Sequence, residues 1–556
     1  MLAEMNRRDL LRKSMFSLAA PFGSGSFLQG QTPHAVSQTI FDVRTFGARG
    51  DGKTVDTQAI NQAIAAAQAS GGGTVLVPAG TYLCFTIHLR SNVELYLSQG
   101  CIIQAADSPQ PHETSGYCGG TYDPAGPQTR FSPYTDYGHA HWRNSLFYAE
   151  DQHNFTISGP GLIFGKGLSN GHVKAVKGYT TFIAEQPGVG NKAIALKNCY
   201  NVTLRNFSVL KGGHFALLAT GVDNLIIDSL LIDTDRDGFD IDCCRNVRVS
   251  GCTVNSPWDD AICPKSSFAL GYNRPTENVT IANNYVTGTY RLGTVQNGTW
   301  KKFEEAGEDP EVSRQGRIKC GTESNGGFRN ITITGNVIEG CKGIAIESSD
   351  GALVEDIAIT GNTMRDIVDA PLFLCLNRRN RGPASDMRPG VIRRILISNL
   401  VCHNSAAATA SIFTGIPSVL IEDVKLSNCY IGHEGLPTRM RVHWGEKTEP
   451  MPAWKDLEVP EREQSYPELM QFGPTPCHGL FVRHLRNLEM SHVEFAPANT
   501  DPRPALRLQD VHRADLFAIT APRQPNVVLR NVTDLRIAWS RAAPDANIAM
   551  ATDQTI

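Results

Sequence analysis

A chain of 556 residues is long enough for several domains, yet its net charge of −3 with 19% charged residues carries no field able to draw nucleic acid or an anionic membrane surface. Binding of nucleic acid or of a membrane surface is thereby excluded as the main task, and a partner recognised locally, with a small footprint, is left. Length says little about domain count, because a solenoid grows by repeats that contact only their neighbours.

The chain opens with Met5-Asn6-Arg7-Arg8-Asp9-Leu10-Leu11-Arg12-Lys13 and a short apolar run through Ala20. Basic pair followed by apolar stretch is the pattern of a twin-arginine export signal, so residues 1–30 are set apart from the fold and an exported, periplasmic or secreted protein is expected. The run is too short and too broken by Gly and Pro to anchor in a bilayer. The next element is a helix over residues 56–68, with Ala and Ile at helical spacing, Asp56 as its N-cap and "SGGGT" as its stop. It is predicted to cap the open end of a solenoid.

The body repeats one pattern, an Asn followed by alternating apolar residues, at Asn92, Asn154, Asn201, Asn224, Asn246, Asn278 and Asn330. Spacings of 23 and 22 residues from Asn201 to Asn224 to Asn246 are those of a repeat architecture, and β-branched residues with Asn and Gly turns make each unit a set of short strands. Later copies start at Ile357, Ile395 and Val424. The predicted fold is all-β, a single-domain parallel β-helix over residues 40–545 with long loops at about 107–142, 288–315 and 433–476. Fourteen cysteines in an exported chain suggest disulfides. Cys199, Cys252, Cys341, Cys402 and Cys429, however, adjoin apolar stretches, where a free Cys behaves as a small buried hydrophobe.

Chemistry concentrates in residues 235–265. Asp235-Arg236-Asp237-Gly238-Phe239-Asp240 is followed, 22 residues after Asp237, by Asp259-Asp260. One coil is about that long, so Asp237 is expected beside the pair at a strand spacing of about 4.8 Å. Any one of these aspartates alone suits a solvated turn. Three together raise one another's pKa and can be split into a protonated acid and an ionised base, the pairing that cleaves glycosidic bonds.

The opening at residues 41–82, with "DGFDID" and "DDAICPKS", resembles glycoside hydrolase family 28, the polygalacturonases and rhamnogalacturonan hydrolases, over about residues 41–351. The resemblance implies a right-handed parallel β-helix with an N-terminal capping helix, a pectic oligo- or polysaccharide as partner, no cofactor, no metal and a monomer. Its Asn-Thr-Asp-Gly motif matches Asp235–Gly238 and its Asp-Asp pair matches Asp259-Asp260. By that match Asp259 is the general acid, Asp237 with Asp260 activates the water, and the product anomer is inverted. The residues alone leave the division of roles open.

Where that family carries Gly-His-Gly, this chain has Gly316-Arg317-Ile318-Lys319; where it carries Arg-Ile-Lys one coil on, this chain has Ala345-Ile346-Glu347. Loss of those cations removes the charge complement for a leaving-group carboxylate and turns the expectation from homogalacturonan toward rhamnogalacturonan. Arg317 and Lys319 face one side of a strand and are expected to bind the galacturonate across the scissile bond. Lys265 and His214 are further candidate substrate contacts. The long loops, with Tyr122, Tyr134, Trp142 and Trp300, are expected to wall off one end, stack on a terminal sugar and give exo-action. Alternatives are a polygalacturonase on homogalacturonan, a calcium-dependent β-helix lyase and a non-catalytic carbohydrate-binding β-helix.

Overall fold

The computed structural model describes residues 39–556 except 111–112, 170–185, 307–313, 443–446 and 523–524, so the export-signal reading of residues 1–30 lies outside the described residues. Residues 39–556 form one compact unit. Among the described residues, thirty-one strands join in one almost wholly parallel sheet, six in a second and two in a hairpin. The chain winds as a right-handed parallel β-helix, and each strand pairs with its counterpart one coil on.

The helix Thr57–Ala69 buries Ala59, Ile60, Ala63, Ile64 and Ala67 against the first coils. Asp56 precedes it as expected but makes no side-chain cap. Its buried carboxylate instead accepts from the backbone N–H groups of Arg49 at 2.7 Å and Gly50 at 3.0 Å. The sequence signal for a cap thus marks a residue that ties down the preceding loop.

The repeated Asn has a physical reason. All seven sit at positive φ, between 52° and 64°, a left-handed conformation that Asn tolerates better than most side chains. Each after the first donates its amide to the Asn one coil before, from Asn154 to Asn92 at 3.2 Å up to Asn330 to Asn278 at 2.8 Å. Beyond Asn330 the position changes chemistry but not conformation: Asp356, Arg394 and Asp423 also hold positive φ, and Arg394 pairs with Asp356 at 2.7 Å. All fourteen cysteines are free and only Cys118 is exposed.

The face that matters is built by the strands Lys192–Lys197, Phe215–Thr220, Asp237–Asp242 and Ile262–Lys265, in register Ile194↔Leu217, Leu217↔Phe239 and Phe239↔Ile262. A bridge from Ile262 to Ile318 carries it on to Lys319–Cys320, Ile344–Ser348 and Leu372–Leu376. Strand alternation sends Phe239, Ile241, Ile262, Ile318 and Ile346 into the core and turns Asp240, Cys263, Lys319 and Ala345 to the other side.

Candidate active site

Register brings the three aspartates together. Gly238 N–H donates to the Asp260 carbonyl at 3.0 Å and Phe239 N–H to that of Ala261 at 2.9 Å, which sets Asp237 beside the Asp pair. Gly238 allows that approach, since a Cβ there would lie 2.3 Å from the Ala261 carbonyl oxygen. Ser256 closes the turn, donating to the carbonyls of Arg236 at 2.6 Å and Asp259 at 2.8 Å. One carboxylate oxygen from each of Asp237, Asp259 and Asp260 lies within 4.8 Å of the others. Asp237 and Asp260 are buried; Asp259 is half-buried.

Their environments differ. Burial, then the charges of Asp259 and Asp240, push the Asp237 carboxyl well above the usual range. Burial alone would raise Asp260 too, but Arg317, then Lys319 and Lys265, outweigh it and hold the carboxyl well below that range. The Arg317 Nε meets Asp260 Oδ1 at 2.7 Å and the Lys319 ammonium meets Oδ2 at 3.2 Å. Asp259 Oδ2 accepts from Arg236 Nη2 at 2.6 Å and Nε at 3.2 Å.

Lys265 lies in this site, 3.3 Å from Glu323 and 3.8 Å from Asp240. His139, almost a hundred residues before the motif, reaches Asp240 at 2.9 Å, and Arg381 ties the same turn down through Asp136 at 2.6 Å. His214 sits one coil earlier, stacked on Phe215 with ring centroids 4.2 Å apart and edge-on to His139 at 6.4 Å.

Arg317 requires a correction. It was expected to grip a galacturonate carboxylate, but its two terminal nitrogens form a bidentate pair with Glu468 at 2.9 and 2.6 Å while its Nε holds Asp260. Lys342 donates to the same Glu468 at 3.0 Å. Lys319 is spent on Asp260 and on the Tyr466 hydroxyl at 3.2 Å. Glu468 and Tyr466 belong to the excursion after His433, whose Val459, Leu469, Phe472 and Cys477 pack on Ala345, Phe373, Ile412 and Phe481. That strap therefore covers the working face on the C-terminal side of the aspartates.

The early loop covers the other side. Trp142 packs on Ala195, Phe215 and Leu218 and donates to Thr220 at 3.0 Å, while Tyr122 is buried and donates to the Ala106 carbonyl at 2.6 Å. These two rings are walls, not platforms for a sugar. Tyr134 packs edge-on against Phe268, and Trp300 against Tyr285 and Tyr290.

Glu347 stands where the resemblance expected a lysine. It is fully buried, neither oxygen has a hydrogen-bond partner, and it tucks against Gly321, where a Cβ would come within 2.8 Å of Oε2. Burial, opposed by Lys319 and Arg317, pushes its carboxyl up to about 7. A raised carboxyl contributes stability that is complete below its ordinary 4.5 and is lost as pH rises through about 7. Glu347→Gln should therefore match the parent at pH 4.5 and gain on it up to pH 8, by a limit of roughly 3 kcal/mol. Denaturant melts across that range check the expectation; a gain that grows toward acid pH overturns it.

With the site in view, comparison with known proteins becomes informative. A family profile described as "Rhamnogalacturonase A/epimerase, pectate lyase-like" matches residues 40–98. A Vitis vinifera protein named "Probable polygalacturonase" is 23% identical over 458 residues, 78% of this chain and 79% of that protein. The family 28 exopolygalacturonase of Yersinia enterocolitica superposes on 85% of this chain and 78% of its own, at 20% identity and a TM-score of 0.59. The hyperthermoactive exopolygalacturonase of Thermotoga maritima does so on 71% and 87%, at 20% and 0.54. The chain has their fold.

Several site residues escaped the sequence reading. Arg236 was in plain view inside the motif but its target was not. His139, Lys342, Tyr466 and Glu468 come from loops or coils whose place at the site depends on how the loops fold back, for which the strand repeat gives no signal.

Proposed function

We propose that the protein is a glycoside hydrolase that cleaves α-linked galacturonate in pectin, acting from the non-reducing end of rhamnogalacturonan oligosaccharides. The observation that carries hydrolysis is the trio itself: one buried aspartate pushed toward its protonated form and one held ionised, within 4.8 Å. General acid–base cleavage needs that division. The relatives named polygalacturonase and exopolygalacturonase act in keeping with it.

Exo-action is supported by the covering of the working face on both sides of the aspartates, by Trp142 before them and by the strap carrying Tyr466 and Glu468 after them. Covering on both sides favours a chain end over the middle of a polymer. Ala345 and Glu347 in place of a cationic pair support a neutral sugar as leaving group. A calcium-dependent lyase is disfavoured by the cations already in place, since Arg236, Arg317 and Lys319 touch two of the three carboxylates and repel a divalent ion. No helix among the described residues is long and apolar enough to cross a membrane.

The stereochemical reading rests on how the carboxylates are held. Both oxygens of Asp260 are in ion pairs, and both of Asp259 accept hydrogen bonds from Arg236 or the Asp260 N–H, which fixes them as charged partners of a water and disfavours a covalent bond to the sugar. We therefore read water as the nucleophile and expect inversion. Proton NMR of the first product made from a defined rhamnogalacturonan oligosaccharide tests both claims: galacturonate accumulating with inverted anomer supports them. Rapid loss of viscosity with mixed oligomers defeats exo-action, and a retained anomer defeats the water mechanism.

A further inference from the structure

We propose that Arg236 fixes the division of labour among the three aspartates, so that Asp237 delivers the proton to the glycosidic oxygen while Asp259 and Asp260 stay ionised and manage the water. This rests on the hydrolase reading above. It departs from the resemblance, which places the acid on Asp259.

The geometry points to Asp237 because donors are shared out unequally. Asp259 Oδ2 accepts two hydrogen bonds from the Arg236 guanidinium, at 2.6 and 3.2 Å, and Oδ1 accepts the Asp260 N–H at 3.0 Å. Asp260 has Arg317 on one oxygen and Lys319 on the other. Asp237 meets a cation at 3.9 Å, and that cation is Arg236, already committed to Asp259. Hydrogen bonds and cations favour the charged form of a carboxyl. Three carboxylates this close cannot all ionise cheaply, so the proton settles on the one with the fewest such contacts.

The remaining groups facing Asp237 agree. Asp240 adds negative charge beside it, steadied by His139 at 2.9 Å. Lys265 lies near but is shared with Asp240 and Glu323, and Asp235 precedes Arg236 in the chain. Burial of Asp237 works the same way. Asp259, with a side chain 27% exposed, is the most open of the three and faces the solvent from which water arrives.

In the step itself the Asp237 proton passes to the glycosidic oxygen as the bond from the anomeric carbon breaks and its electron pair goes to that oxygen. The water oxygen bonds to the anomeric carbon and its proton passes to Asp259. Turnover leaves Asp237 ionised and Asp259 protonated, and exchange with solvent restores both. Arg236 supplies the donor that keeps Asp259 as the proton acceptor, through its two hydrogen bonds to Oδ2.

Two measurements test the assignment. In protein labelled at aspartate carboxyl carbons, NMR titration should show one aspartate titrating far above the ordinary range in the parent, moved down but still raised in Asp259→Asn, where one repelling charge is gone, and lost in Asp237→Asn. This needs no substrate. In kinetics, Asp237→Asn should lose ~10²–10⁴-fold on a galacturonide whose leaving group is a sugar and far less on one with an activated phenol, which departs without a proton. Asp259→Asn should lose on both. Arg236→Gln should move the acidic limb of the kcat profile upward, with KM changing less than kcat. Rescue by the activated leaving group in Asp259→Asn instead, or a raised titration that persists in Asp237→Asn, overturns the proposal. A parent inactive on every galacturonide defeats the hydrolase reading alone, and the titration then still decides where the proton resides.

Discussion

Asp260→Asn is expected to lower kcat by ~10²–10⁴-fold, the range for a lost acid or base group, and to change the titration of a residue two coils away. Asp260 is the shared partner of Arg317 at 2.7 Å and Lys319 at 3.2 Å. Neutralising it leaves Lys319 with the Tyr466 hydroxyl and, nearby, the unpartnered Glu347. Lys319 and Arg317 pull the Glu347 carboxyl down while Asp260 and Glu468 help to hold it up. With the Asp260 charge gone, Glu347 should ionise at lower pH and take over part of the compensation. The pH-dependent advantage of Glu347→Gln over its parent should then shrink when both carry Asp260→Asn. Denaturant melts of the four proteins make a double-mutant cycle; an advantage that is unchanged, or near-normal turnover in Asp260→Asn, refutes the coupling or the catalytic role respectively.

The parts of the molecule legible in the sequence are those set by one-coil periodicity. Asn201, Asn224 and Asn246 announce themselves because a left-handed corner and an amide ladder both ask for Asn at every turn. Asp237 and Asp259 could be placed side by side for the same reason, since spacing in sequence translates directly into register. Arg317 could not be read that way. Its position on the strand face was foreseeable, but its partner Glu468 lies 151 residues away in a segment with no repeat. A cation facing a groove looks free until the loop that returns to it is known. Tyr122 and Trp142 failed for a related reason: aromatic content told that the early loop is ordered, not that these rings are consumed in ordering it.

Glu468→Gln should be the most destabilising change in the strap, by about 3–5 kcal/mol, because removing one member of a buried ion pair strands the others. Arg317, Lys342 and Glu468 are each at most 4% exposed. Burial would raise the Glu468 carboxyl, but Arg317 and Lys342 bring it down to about 2, so its contribution is complete above the ordinary 4.5 and disappears as pH falls toward 2. The parent and Glu468→Gln should thus converge in stability at acid pH and diverge above it. Adding Lys342→Met removes one stranded cation and should recover part of the loss, a recovery that a purely steric effect of Gln does not give. The apolar contacts of Leu469 and Phe472 with the solenoid remain, so the chain stays folded while the ion pair between strap and site is lost. If the strap closes the working face against a polymer, this variant should also release longer products early in a time course on long substrate. A stability loss without any change in product length would leave the ion pair structural and assign the closure to the apolar packing of the strap alone.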